Sequence, residues 1–185
     1  MTMPSGKVLY ASHEGIAVLR FVGDIRYTLS PSVERFVEQL FTQALPKGLV
    51  IDLTETVSID STSLGLMARI ANRLQNCRAQ RVTLVSDRED INEMLTAMGF
   101  RKVFNIVHDS EPPAKPTQEL PVAEPDRQTL SRIVLEAHRT LMAMNRGNEE
   151  RFRDVVTALE KEHETDSSTT SPAVITDLNH STESR

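Results

Sequence analysis

Apolar and polar positions alternate in two rhythms over the first hundred residues. Lys7 to Ser12 and Gly15 to Val22 read as two strands of a hairpin, the second running Ile16, Ala17, Val18, Leu19, Arg20, Phe21, Val22. Ser30 and Pro31 then form an N-cap and first-turn pair, and Val33, Phe36, Val37, Leu40 and Phe41 recur at helical spacing. Gly48 to Leu53 is a short apolar run suited to a buried strand. Leu64, Met67, Ala68, Ala71 and Leu74 make the stripe of a second helix, and Arg81 to Ser86 the next strand. Ile91, Met94, Leu95 and Met98 mark a third helix stopped by Gly99, before an edge strand at Val103 to Val107. The predicted order is β-β-α-β-α-β-α-β. Strands joined through helices imply right-handed parallel crossovers and a sheet with helices packed on it.

The pattern changes at the prolines, five of which (Pro112, Pro113, Pro116, Pro121, Pro125) fall close together and predict an extended linker. Beyond it, Asp126 is placed to cap a helix with apolar positions Leu130, Ile133, Val134, Ala137 and Leu141. Gly147 punctuates, Asn148 is the expected cap of the next helix, and Phe152, Val155, Val156 and Leu159 repeat at helical spacing. Each helix has one apolar face, to be buried against the other, the main domain or another chain. Of the 21 residues from Thr165 to Arg185, ten are Ser or Thr, so a disordered tail is expected. The resulting division is 1–109, an α/β domain; 110–125, a proline-rich linker; 126–164, a helical hairpin; and 165–185, a tail.

Charge sharpens this picture. Residues 1–109 carry 12 Lys/Arg against 12 Asp/Glu, whereas 110–185 carry 9 against 14, so the net charge of -5 lies entirely in the C-terminal part. Neither part has the basic excess that phosphate neutralisation on a nucleic acid requires, which favours protein partners. No run approaches the ~18 to 20 apolar residues of a membrane span, and Met1 to Lys7 lacks the charge and apolar core of a leader. With Cys77 as the single cysteine, disulfides within the chain and multi-cysteine metal sites are excluded, and a reducing cytoplasm fits best. His13, His108, His138, His163 and His180 show no metal-ligand spacing and are expected at the surface, so no metal or other cofactor is expected. Arg69 and Arg73, one turn apart, read as a solvated helix face that could flank a partner contact.

The segment from Val57 to Leu66, reading Val-Ser-Ile-Asp-Ser-Thr-Ser-Leu-Gly-Leu, crowds small hydroxyls and a carboxylate at a helix start. Capping by Asp60, with Ser61, Thr62 and Ser63 filling a polar first turn, accounts for it without any further role. The segment also resembles the Asp-Ser-[Ser/Thr]-Gly-Leu-Gly signature of the STAS family of anti-sigma factor antagonists. Gly23-Asp24-Ile25 resembles that family's glycine turn, and Leu95, Gly99, Phe100, Phe104 and Ile106 its closing pattern.

The resemblance covers about residues 7 to 109 and implies an α/β fold with a STAS-like mixed sheet and helices packed on it. It also implies a non-enzymatic protein phosphorylated at Ser61, with Asp24, Asp60, Thr62, Ser63, Gly65 and Arg69 at the partner contact. The implied partners are an anti-sigma factor and a response regulator carrying a serine kinase or phosphatase domain, with other signalling proteins beside them. Stress, motility or biofilm genes would be the output. Ser63 departs from the family glycine, and Arg26 stands where many members have an acidic or small residue. Two rival readings are a ligand-sensing or scaffolding STAS module and a hydrolase with Ser61 as nucleophile, the latter lacking any oriented histidine visible in sequence.

Overall fold

The structure, a computed structural model, describes residues 6–168 apart from 44, 79, 109–111 and 113. Its strands are β1 (Lys7–His13), β2 (Ile16–Ile25), β3 (Gly48–Asp52), β4 (Thr56–Ile59), β5 (Val82–Val85), β6 (Phe104–Val107) and β7 (Gln118–Glu119). The helices are α1 (Ser30–Gln43), α2 (Ser61–Arg78), α3 (Glu89–Ala97), α4 (Arg127–Met144) and α5 (Arg146–Ser168).

The strands form one sheet in the order β6-β5-β3-β2-β1-β7. β1 lies antiparallel to β2, while β2, β3, β5 and β6 run parallel to one another, giving the expected mixed sheet. Alternation sorts its side chains onto two faces. Ala17, Leu19 and Phe21 of β2, Leu49 and Ile51 of β3 and Val82 and Leu84 of β5 join the main core with α1, α2 and α3. Val18, Val50 and Val85 form a small cluster of their own. On that second face Arg20 meets its cross-strand partner Asp52 at 2.6 Å.

β4 is an element the sequence pattern did not predict. It pairs in parallel with the far end of β2, where the register shifts between Gly23 and Asp24 and Gly23 takes a left-handed φ of 80°. Only glycine adopts that backbone readily. One long strand thereby serves β3 with its first half and β4 with its second, and β4 delivers the chain to the start of α2.

The C-terminal part is tied back to the sheet. β7, within the proline-rich segment, pairs with β1, and the Ala123 backbone N–H donates to the buried Ser32 Oγ at 2.8 Å. α4 then packs against both α2 and α5, so the main domain itself covers the hairpin's apolar face.

Three expectations need correction. Asn145, not Asn148, caps α5, its Oδ1 accepting from the Asn148 N–H at 2.8 Å. Asn148 is buried within the first turn, where its amide donates to the carbonyls of Met98 (2.9 Å) and Leu141 (2.8 Å), binding α5 to the end of α3 and to α4. Ser30 is already helical and is preceded by a turn of 3-10 helix over Tyr27–Leu29, so it is no N-cap. α5 continues to Ser168, into the segment expected as tail; the rest of that tail lies outside the described residues.

Candidate functional site

Strand β4 ends at Ile59, and Asp60 organises the turn into α2. Its backbone N–H donates to Ile25 O at 3.1 Å, which holds the loop against the end of β2. Its carbonyl accepts the first bond of α2, from Leu64 N at 3.1 Å, and its Oδ1 accepts from Ser63 N at 2.8 Å: the N-cap arrangement in full. The other oxygen, Oδ2, accepts from Tyr27 N at 2.5 Å, at the opening of the 3-10 turn that leads into α1. One carboxylate thus fixes two helix starts against each other. Asp24 lies on the adjacent rung, opposite Ser58, whose hydroxyl donates to it, and Arg26 Nε donates from 2.8 Å. Hydrogen bonds from Ser58 and then Arg26 hold the Asp24 carboxyl below its ordinary value.

The three hydroxyls after Asp60 are not equivalent. Thr62 and Ser63 are 5% and 4% exposed, whereas Ser61 keeps part of its surface. Ser63 Oγ makes no hydrogen bond among the described residues. Ser61, at the first position of α2, is the one that is not fully buried, and its side chain reaches away from α2.

What it reaches is His138, on α4, with Ser61 Oγ 2.9 Å from His138 Nε2. His138 Nδ1 lies 2.8 Å from the carbonyl of Val134. A carbonyl only accepts, so Nδ1 carries the proton; in the neutral ring Nε2 is then an acceptor and the Ser61 hydroxyl donates to it. The ring sits edge-on to Phe152 of α5, centroids 5.5 Å apart, and is 6% exposed. The expected surface histidine is therefore a buried one, and an oriented histidine does stand beside Ser61. It occupies a core position of α4, four residues from Val134 and three from Leu141, and that spacing was the one sequence signal that could have revealed it.

Gly65, one turn along α2, is buried directly beneath α4, where a Cβ would meet the Ala137 carbonyl oxygen at 2.2 Å. Arg69 is not solvated as expected. It pairs with Glu34 of α1 and Glu136 of α4, each at 2.7 Å, while Arg132 of α4 reaches Glu34 at 2.6 Å. Arg73 pairs with Glu38 and lies over the Phe41 ring. Burial would raise the Glu34 carboxyl, but hydrogen bonds from Arg132 and Arg69 outweigh it and hold the group below its usual range. Glu34, Arg132 and His138 escaped the sequence reading because their partners lie far away along the chain. Among the described residues, no group of three or more His, Cys, Asp or Glu is disposed to hold a metal.

A STAS-domain family model matches residues 7–112, more than half of the chain. The chain belongs to the STAS family. Among solved structures, an anti-sigma factor antagonist from Mycobacterium paratuberculosis is similar at 22% identity with a TM-score of 0.51, over 60% of this STAS chain and 92% of that one. The unphosphorylated form of the anti-sigma factor antagonist SpoIIAA is similar at 13% identity with a TM-score of 0.48, over 55% and 89% respectively. The STAS assignment fits the mixed sheet, while α4 and α5 lie beyond the matched residues. No curated protein matches the chain. No described helix of this STAS protein is long and apolar enough to cross a membrane.

Proposed function

We propose that this STAS protein is an anti-sigma factor antagonist that changes partners according to phosphorylation of Ser61. The unphosphorylated form binds an anti-sigma factor and so frees a sigma factor for stress, motility or biofilm genes; the phosphorylated form lets go. A response regulator with a serine kinase or phosphatase domain sets the phosphorylation state. The observation that carries this reading is positional: directly after the capping Asp60, Ser61 alone of the three first-turn hydroxyls keeps accessible surface. A phosphate there adds about -1.5 to -2 charges, which a helix N-terminus tolerates within the fold. A partner surface matched to a neutral hydroxyl does not tolerate it.

The Ser61–His138 pair also invites a hydrolytic reading, but the surroundings disfavour it. Phe152 packs edge-on against the His138 ring, which is buried, and Ala137 rests on Gly65 one turn further along α2. Neither the cleft lined by Asn72, Lys102, Arg139 and Met144 nor that lined by Asn92, Arg101 and His108 reaches it. Affinity purification from cells, comparing Ser61→Ala with Ser61→Asp and mapping phosphate by tandem mass spectrometry, tests the switch. The expected result is phosphate on Ser61, an anti-sigma factor retained by Ser61→Ala, and its loss from a folded Ser61→Asp. A dominant phosphosite elsewhere, or equal retention by both variants, would refute it.

A further inference from the structure

The hairpin lies on the same face of α2 that the switch needs. Three contacts place it there, ascending along α2 and descending along α4: His138 on Ser61, Ala137 on Gly65, and Glu136 on Arg69. Arg132 extends the attachment to Glu34 of α1. The Gly65 contact is decisive for what else can fit. Missing its side chain, Gly65 lets the Ala137 backbone rest directly on α2, with no flexible group between them to yield. Any separation of the two helices therefore breaks a backbone contact that no flexible side chain would follow to refill.

A phosphoryl group on Ser61 Oγ would put a phosphorus and three oxygens where a hydrogen bond now joins Oγ to a ring held by Val134 and Phe152. The group is a hydrated anion, and the nitrogen it faces presents a lone pair in the neutral ring. The geometry points to the hairpin as a competitor built into the chain: docked α4 and a phosphate on Ser61 exclude each other. A kinase or an anti-sigma factor gains the Ser61 face of α2 only when α4 leaves it. This inference rests on the reading of Ser61 as the switch residue and adds its control.

Its test uses the full chain in four forms: unmodified, Gly65→Ala, Arg132→Glu, and carrying phosphoserine inserted at position 61 during synthesis. Hydrogen exchange read by mass spectrometry follows α4 and α5, with β3 and β5 as internal controls. Gly65→Ala drives a methyl into the Ala137 backbone yet places a better helix former in α2, so α2 itself survives. Arg132→Glu, which sets a carboxylate against Glu34, loosens the other end and serves as the second variant. Exchange in 127–163 should quicken roughly tenfold or more in each altered form, with the sheet unchanged. Unchanged or slower exchange in the phosphoserine form overturns the inference, because the phosphate then sits under a docked hairpin with a protonated His138 as its ligand. Loosening by Gly65→Ala alone overturns it equally. Because the phosphate is inserted without a kinase, its absence from Ser61 in cells would remove the partner-switching reading and leave this result to stand or fall separately.

Discussion

Replacing Asp60 by alanine removes two hydrogen bonds at once, and the structure says how they should divide. The Oδ1 bond to Ser63 N is partly buried and is an N-cap, whose loss costs about 1 kcal/mol, within a range of roughly 0.5 to 2. The Oδ2 bond to Tyr27 N is exposed, so water takes over much of its role and its loss costs roughly 0.5 to 1 kcal/mol. Together Asp60→Ala should destabilise the fold by about 2 kcal/mol, a fall in Tm of roughly 4 to 8 °C for a chain of this size. Serine is itself a good N-cap but is too short to span both helix starts, so Asp60→Ser should keep the Ser63 bond, lose the Tyr27 bond and fall about midway. Urea titration and thermal melts of the three proteins at neutral pH give the comparison. A loss under about 0.5 kcal/mol for alanine, or equal losses for serine and alanine, would refute the assignment of two separate roles to one carboxylate.

Asn148→Ala should cost roughly 2 to 4 kcal/mol, because it strands the buried carbonyls of Met98 and Leu141; urea titration checks this, and a loss below about 1 kcal/mol would mean that water replaces the amide. Glu34 supplies a pH dependence. Its carboxyl is held below the ordinary 4.5 in the folded protein, so its stabilising contribution is complete above that value and is lost as pH falls through the lowered one. The stability difference between the unmodified protein and Glu34→Gln should therefore be largest above pH 4.5 and shrink below it, as read by denaturant titrations across that range; a constant difference would contradict the pairing with Arg69 and Arg132.

Periodicity along the chain was enough to place most of the elements, because each repeat is local. The alternation of Ile16 to Val22, the helical stripe from Leu64 to Leu74 and the stop at Gly99, which does take a left-handed φ of 83°, depend on residues within a few positions of one another. Asp126 likewise caps α4 as expected, its Oδ1 accepting from Thr129 N at 2.8 Å. The family motif made Ser61 legible as a candidate in the same local way.

What only the tertiary structure decided depends on partners far apart in sequence. β4 spans four residues, too short for a pattern of its own, and exists because the bulge at Gly23 turns the end of β2 toward it. Asn145 and Asn148 are both plausible caps by spacing; burial against Met98, fifty residues away, assigns Asn148 to the interior. Ser61 and His138 are 77 residues apart, and Glu34 and Arg132 are 98 apart. Nothing in either neighbourhood encodes the other, since a hydrogen bond between distant residues forms only after packing has brought their helices together. The sequence by itself determined a STAS domain with a serine at a helix start and two amphipathic helices in need of cover. That the cover is α2, and that it places His138 on Ser61, comes from the close approach at Gly65, which only the folded chain makes.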